Sequence, residues 1–396
     1  MPARSPMIAA AVLLLTGAVA TFALGCSPTP VPDPTETPRP TFTATAVATA
    51  VPPTLTPTAV PPTSTPTPNP NLNPLTGLAV TNTAFLQRRP LEVVVNNSPV
   101  ARPQYGLSKA DVVFEYVMDG WSVTRFTAIY LGQEAERIGP VRSARLINLH
   151  LAPMFDAALV ASGASDQVRW LIKNKASFPY LDIDLDDSSS TLYSTSIGTY
   201  WETRLQTSTP SLRRWLQKEN LDSPATAKPF IFSSQVATTT ATSSAGAVHI
   251  PYPQSSTVDW TYDSVSKLYL RAVQGEPHMD AGNGAQIAAA NVVVFYSPHE
   301  TTSIVEDLMY GSTAIKIGLT GPGKCLVLRD GVVAEGTWKW DAPLEAATIA
   351  TGDTVVVPKS GATLVQLLGA NGSPITLKPG ITWVQVVPTD YKVEVK

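Results

Sequence analysis

The chain has 396 residues, with 28 Lys and Arg against 31 Asp and Glu and a net charge of −3; its pI is near 5.9. That balance leaves no basic footprint, and no arginine-rich stripe or aromatic-interleaved basic run is present, which argues against nucleic acid as a partner. There are two cysteines, Cys26 and Cys325; with Cys26 committed to the N-terminal signal described next, neither an internal disulfide nor a thiolate metal site can form.

Arg4 precedes an apolar run from Met7 to Leu24, and small Gly25 stands beside Cys26. The run has the length of a secretory signal, and Ser27, Pro28, Thr29 and Pro30 cannot continue a helix into a membrane span. The sequence predicts a signal peptide over 1–25, cleavage before Cys26 and acylation of that residue, with the protein on the extracytoplasmic side of the cell membrane. The tetrad Ala23-Leu24-Gly25-Cys26 departs from the usual bacterial lipobox, which has Leu in first place. Residues 27–71 are largely Pro, Thr, Ala and Val, with only Asp33, Glu36 and Arg39 charged. Such a stretch builds no core. Proline favours the extended polyproline conformation, so the linker predicts a disordered stalk reaching up to roughly 140 Å at about 3.1 Å per residue.

Residues 72–396 carry a normal share of apolar side chains and enough length for two domains. Leu91 to Asn97, Asp111 to Met118 and Thr124 to Leu131 are β-rich runs. Ala144 to Ala158 has apolar residues at helical intervals, with Pro153 as an interruption, and Ala158 to Ser162 reads as a buried strand ending at Gly163. Asp166 to Lys173 and Ser211 to Glu219 predict helices, the second with Ser211 as N-cap after Pro210. Residues 233–245 lose all periodicity, placing a boundary between an α/β domain over 72–235 and a β-rich domain over 246–396. In the latter, Val258 to Arg271, Asn291 to Tyr296, Ala314 to Leu319, Cys325 to Arg329, Val332 to Trp340 and Ile381 to Val387 read as strands. Asp330-Gly331 and Asn371-Gly372 are hairpin signals. The fold class expected is α+β: an N-terminal α/β domain followed by a mainly antiparallel β domain.

Several patterns imitate chemistry. Gly318 to Cys325 has P-loop spacing, but Cys325 replaces the hydroxyl residue that magnesium needs and Leu326-Val327-Leu328 reads as a strand, so a hairpin turn is expected. Asp182, Asp184, Asp186 and Asp187 resemble the start of a calcium loop, yet Asp187 stands where Gly is required and Tyr193 where the bidentate Glu belongs. The interleaved Leu181, Ile183 and Leu185 suggest an edge strand with an acidic face. His150, His249, His278 and His299 form no zinc-type helical pair. No metal and no cofactor are called for.

At this point the residues resemble the YerB-like bacterial lipoproteins. Asn73-Pro74-Leu75-Thr76-Gly77-Leu78, Asn96-Asn97-Ser98, Ala101-Arg102-Pro103-Gln104, Gly106-Leu107, Ala110-Asp111, Thr124-Arg125-Phe126 and Gly139-Pro140-Val141-Arg142-Ser143-Ala144-Arg145 are similar to the family's N-terminal block. Tyr269-Leu270-Arg271, Pro277-His278-Met279-Asp280, Asn291 to Val294, Arg329-Asp330-Gly331, Gly336-Thr337-Trp338 and Gly380 to Gln385 are similar to its C-terminal block. The resemblance implies a two-part envelope lipoprotein from a family with no established biochemical activity. Where family members carry Pro-His-Asn, this chain has Ser188 to Thr191; if a shared reaction used that histidine, it is missing here.

Read physically, Gly139 to Arg145 sets two guanidiniums around Ser143 where a loop enters a helix, a pattern suited to an anion. Arg102 and Arg125 are expected to converge there, which makes Arg102, Arg125, Arg142, Ser143 and Arg145 the candidate ligand-binding set. Internal pairing with Glu115, Glu134, Glu136 and Asp156 is the alternative use of these arginines. Glu115, Asp156, His278 and Asp280 are the candidate acid/base groups. Three functions remain open: a tethered module that binds an anionic envelope component, such as a cell-wall glycan strand, a teichoic-type polymer or a lipid phosphate, a cell-wall or glycan-processing enzyme with a carboxylate acid or base, and a scaffold docking envelope proteins through an apolar patch around Trp338, Trp340 or Trp383. The leaning is away from an enzyme.

Overall fold

The computed structural model describes residues 71–224, 226–236, 242–359 and 364–396. The signal segment, Cys26 and the Pro/Thr-rich linker up to residue 70 lie outside the described residues, as do residues 237–241 of the 233–245 boundary segment.

The first half runs β1 (Leu91–Asn96), β2 (Val112–Val117), β3 (Thr124–Tyr130), α1 (Asn148–Phe155), β4 (Ala158–Ala161), α2 (Asp166–Lys175), β5 (Tyr180–Asp182), α3 (Ile183–Asp186), β6 (Ser194–Ser196), β7 (Leu205–Thr207) and α4 (Thr209–Lys218). The three β-rich runs are strands as expected, each buried on both faces, which is why they read as continuous apolar stretches rather than alternating ones. Helix α1 begins four residues later than the spacing predicts. The Arg145 amide is taken by Asn148 Oδ1 at 2.8 Å, holding residues 144–147 as a loop. Pro153 lies inside α1 and the helix stops two residues on, where Asp156 turns left-handed at φ 49°. The N-cap of α4 is Ser208, not Ser211: its hydroxyl accepts from the Ser211 amide, with Pro210 in the first turn, where its missing N–H costs nothing.

The second half comprises β8 (Ser243–Ser244), β9 (Ala247–Ile250), β10 (Val258–Asp263), β11 (Leu268–Val273), the two-residue strands β12 (Glu276–Pro277), β13 (Met279–Asp280), β14 (Ala285–Gln286) and β15 (Ala288–Ala289), then β16 (Asn291–Ser297), β17 (His299–Asp307), β18 (Ser312–Ile317), β19 (Gly323–Arg329), β20 (Val332–Trp340), β21 (Leu344–Thr348), β22 (Thr354–Pro358), β23 (Val365–Gly369), β24 (Thr382–Pro388) and β25 (Glu394–Val395). Val258 to Arg271 is a hairpin and not one strand. Asp263 accepts from the amides of Val265 and Ser266, and Lys267 takes φ 57° to close the turn. The Asp330-Gly331 hairpin between β19 and β20 is present. Gly318 to Cys325 joins β18 to β19, which lie in different sheets, so it is a crossover and no hairpin; Cys325 is inside β19.

The two halves share one 11-stranded sheet, ordered β23-β20-β19-β16-β24-β2-β3-β1-β4-β5 with β8 beside β20. Strand β24 lies between β2 and β16 and is parallel to both, Val384 facing Phe114 on one side and Val293 on the other. The antiparallel sheet β12-β11-β10-β9-β25 packs on one face through Trp260 against Trp383, ring centroids 5.3 Å apart. On the other face α1 packs Phe155 edge-on to Phe114. A second core of Val94, Leu149, Leu159, Val168 and Leu171 extends to Ile304 and Val355 of the later hairpins.

One buried carboxyl within this core is titratable near neutrality. Glu92 Oε1 accepts from Asn148 at 2.8 Å, Oε2 has no partner among the described residues, and burial raises its pKa from the ordinary 4.5 to about 8. Because the folded state keeps a proton that the unfolded chain loses, this contribution is fully present below about pH 4.5 and is lost as pH rises through 8. Glu92→Gln keeps the neutral acceptor, so it raises the thermal midpoint at pH 8 and leaves it nearly unchanged at pH 5. Calorimetric scans at the two pH values check this; equal shifts at both would contradict it.

Candidate functional site

The Gly139 to Arg145 segment runs across the end of β1, the Arg142 amide donating to Val94 O at 3.0 Å. Only part of the predicted arginine set meets there. Arg142 and Ser143 line an open cleft of about 380 Å³ whose other walls are Ser162, Ile183, Asp184, Asp187, Ser188, Ser190, Trp201, Arg204 and Leu205. Trp201 and Arg204 belong to the loop joining β6 to β7, which Asn96 holds by donating to Glu202 O at 3.1 Å. The Arg142 guanidinium lies over the Trp201 ring, 4.2 Å from its centroid. It has no ion-pair partner among the described residues, and its Nε has no hydrogen bond. Burial, with Arg145 nearby, lowers its pKa against the opposing pull of Glu202 and Asp184.

Arg125 and Arg145 sit behind this cleft and are not free to take a ligand. Arg145 Nε donates to Asp119 at 2.6 Å and Nη1 lies 3.4 Å from Glu306. Burial alone would raise the Asp119 carboxyl, but Arg145 holds it below its ordinary value. Arg125 is 4 % exposed and donates to Ser143 O at 2.9 Å; burial and then Arg145 push its pKa down to about 9. Arg102 is elsewhere: it donates to Asn97, Gln274 and Ser256 beside the second sheet. The expected convergence of four arginines therefore reduces to Arg142 and Ser143, joined by Arg204, which the sequence reading missed. The internal partners also differ from those expected, since Arg88 pairs with Glu134 and Arg89 with Asp156.

The acidic run beside the cleft is spent on structure. Asp182 ends β5 and takes Arg169 Nε at 2.6 Å and the Gly163 amide at 3.1 Å. Residues 183–186 wind into α3 rather than continuing an edge strand. Asp187 accepts from four consecutive amides, Thr191 to Ser194, and from the Ser194 hydroxyl; burial opposes ionisation, yet these donors hold its pKa below the ordinary value.

The candidate acid/base groups are dispersed. Glu115 and His278 do meet, around Arg271, on the opposite face of the sheet and sealed from solvent. Arg271 Nη2 donates to both Glu115 oxygens at 3.0 and 2.9 Å, and its guanidinium is enclosed by Phe126, Trp260 and Trp383 at 5.1 to 5.9 Å. His278 Nδ1 faces Arg271, and Nε2 faces Gln104 Oε1 at 2.6 Å. Burial and then Arg271 depress the imidazole pKa well below its ordinary value, so the ring is neutral. Asp280 does not orient His278. It accepts from Gly106, Ser108 and Gly282 and pins that loop. Asp156 caps α1 and bonds Arg89 and Thr226. The apolar patch expected around Trp338, Trp340 and Trp383 is absent, because all three are at most 1 % exposed; three consecutive strongly exposed apolar side chains are instead Leu308, Met309 and Tyr310 at the β17–β18 turn.

The fold and its two blocks define the class. Residues 75–222 match the N-terminal domain of a protein family of unknown function (DUF3048), residues 248–365 match its C-terminal domain, and the chain belongs to this family. β24 follows the second matched block, so the strand that joins the halves lies outside both. Among relatives, the chain is 29 % identical over 325 residues to YerB of Bacillus subtilis (strain 168), a protein whose name describes it as a lipoprotein, covering 80 % of this chain and 86 % of that one. It is also similar to the crystal structure of YerB from Bacillus subtilis, with a TM-score of 0.65 and 28 % identity over 82 % of this chain and 99 % of that chain.

Proposed function

We propose that the protein is a lipid-anchored extracytoplasmic binding protein that holds an anionic component of the cell envelope in the cleft lined by Arg142 and Trp201. The observation that carries this reading is an Arg142 guanidinium lining an open cleft with an aromatic face and no carboxylate ion-pair partner among the described residues, beside Arg125 and Arg145, which are both engaged. A planar, always charged fork left unpaired in a concave site suits a carboxylate or phosphate. Anchoring through Cys26 is supported by the name of the Bacillus subtilis relative and by the signal-like N-terminus. No helix among the described residues is long and apolar enough to cross a membrane.

The test is a thermal-shift screen of the detergent-solubilised protein against carboxylated and phosphorylated envelope fragments. A ligand at about 100 times its Kd adds roughly 2.7 kcal/mol, and Arg142→Ala removes that gain while leaving the midpoint of the free protein unchanged. A variant that is itself strongly destabilised, with no fragment shifting the parent, would make Arg142 a packing residue.

A further inference from the structure

Resting on the binding reading above, we infer that the ligand of the Arg142 cleft is a sugar ring bearing a single carboxylate, an acidic saccharide, and not a phosphate group. Trp201 is 58 % exposed; Arg142 lies over its ring, and so large an exposed aromatic surface still faces solvent. An open indole beside an arginine fork suits the C–H face of a pyranose, an apolar body with polar edges. A phosphate has no such face and would leave the indole bare.

The charge balance points the same way. Arg142 and Arg204 are set against Asp184 and Asp187 in the lining, with Glu202 close enough to act on Arg142. Phosphate sites gather cations and backbone amides with the opposing charges kept away. Here a dianion would meet flanking carboxylates, whereas a single carboxylate engages one guanidinium edge to edge and leaves hydroxyls for the rest. Hydroxyl partners are at hand. Asp184 Oδ1 accepts from Ser162 at 2.8 Å, and Ser188 and Ser190 line the wall without side-chain partners among the described residues. The volume of about 380 Å³ falls in the range of small-molecule sites.

Calorimetric titration of the detergent-solubilised protein with three probes decides the matter: a disaccharide of N-acetylglucosamine and glucuronate, neutral chitobiose, and glycerol phosphate. The expected result is the acidic disaccharide binding about 10- to 100-fold more tightly than chitobiose, the span of a net charged hydrogen bond. Arg142→Gln erases that preference, and Trp201→Ala weakens both sugars with an unchanged melting curve, since the ring is on an exposed loop. Equal binding of the two disaccharides overturns the carboxylate assignment. Glycerol phosphate binding most tightly, and lost in Arg142→Gln, overturns the saccharide class while leaving the anion site intact. No heat from any probe overturns the saccharide inference, and with a flat fragment screen it overturns the binding reading as well.

Discussion

Arg271→Ala lowers the stability of the folded protein by about 3–5 kcal/mol, because it strands a buried carboxylate. Arg271 and Glu115 are both fully enclosed, with side chains 0 % exposed, and meet at 2.9 Å. Without the guanidinium, Glu115 keeps, among the described residues, only neutral donors: Thr124 Oγ1 at 2.8 Å, Asn97 Nδ2 at 3.3 Å and, with its amide turned to match its neighbours, Gln385 at 3.1 Å. The aromatic cage of Phe126, Trp260 and Trp383 also loses its filling. Neutralising both partners together, as Arg271→Met with Glu115→Gln, costs less than the sum of the single changes, since no unpaired charge remains. Urea denaturation of the four proteins in a double-mutant cycle measures the coupling. Additive losses would show that the pair is two independent packing contacts.

Ending the chain at Gly380 abolishes cooperative folding. The seven residues of β24 are all buried, and their removal leaves β2 paired only to β3 and β16 only to β19, with a gap in the middle of the sheet. Trp383 alone packs on Phe126 at 5.2 Å and Trp260 at 5.3 Å, and Trp383→Ala costs about 3–5 kcal/mol, a large share of the 5–15 kcal/mol typical of a folded domain. The truncated protein should lose its near-ultraviolet circular dichroism and its sharp thermal transition. A single cooperative transition in that protein would mean that the first half closes its own sheet.

The strands of the first half were legible because a fully buried strand is a short β-branched run, as Leu91–Asn96 and Val112–Val117 are. Partner choice was not, since periodicity reports which face is apolar and never which strand lies alongside. The run Ile381 to Val387 announced a strand but not its parallel place between the two halves. The hairpin within Val258 to Arg271 was hidden because its turn contains no glycine, proline or asparagine and relies on the Asp263 side chain. At the site, the motif around Ser143 was visible as a local pattern. The partners that disarm Arg145 come from Asp119 and Glu306, remote in sequence, and Trp201 and Arg204 reach the cleft only through the loop between β6 and β7. An exposed Tyr200-Trp201 pair in a polar loop was the one signal that pointed there.

The position of β24 also sets an order of events. A chain that emerges N-terminus first presents β2 well before the strand that will lie beside it, with 264 residues between Val117 and Thr382. Until then β1 and β3 can pair, but β2 carries a bare hydrogen-bonding edge, and such edges recruit other chains. Contacts this distant in sequence are slow to form, and so the half-made protein is the aggregation-prone species. Fast emergence of the whole chain, or a holdase covering β2, protects it; a pause after the first half does the reverse.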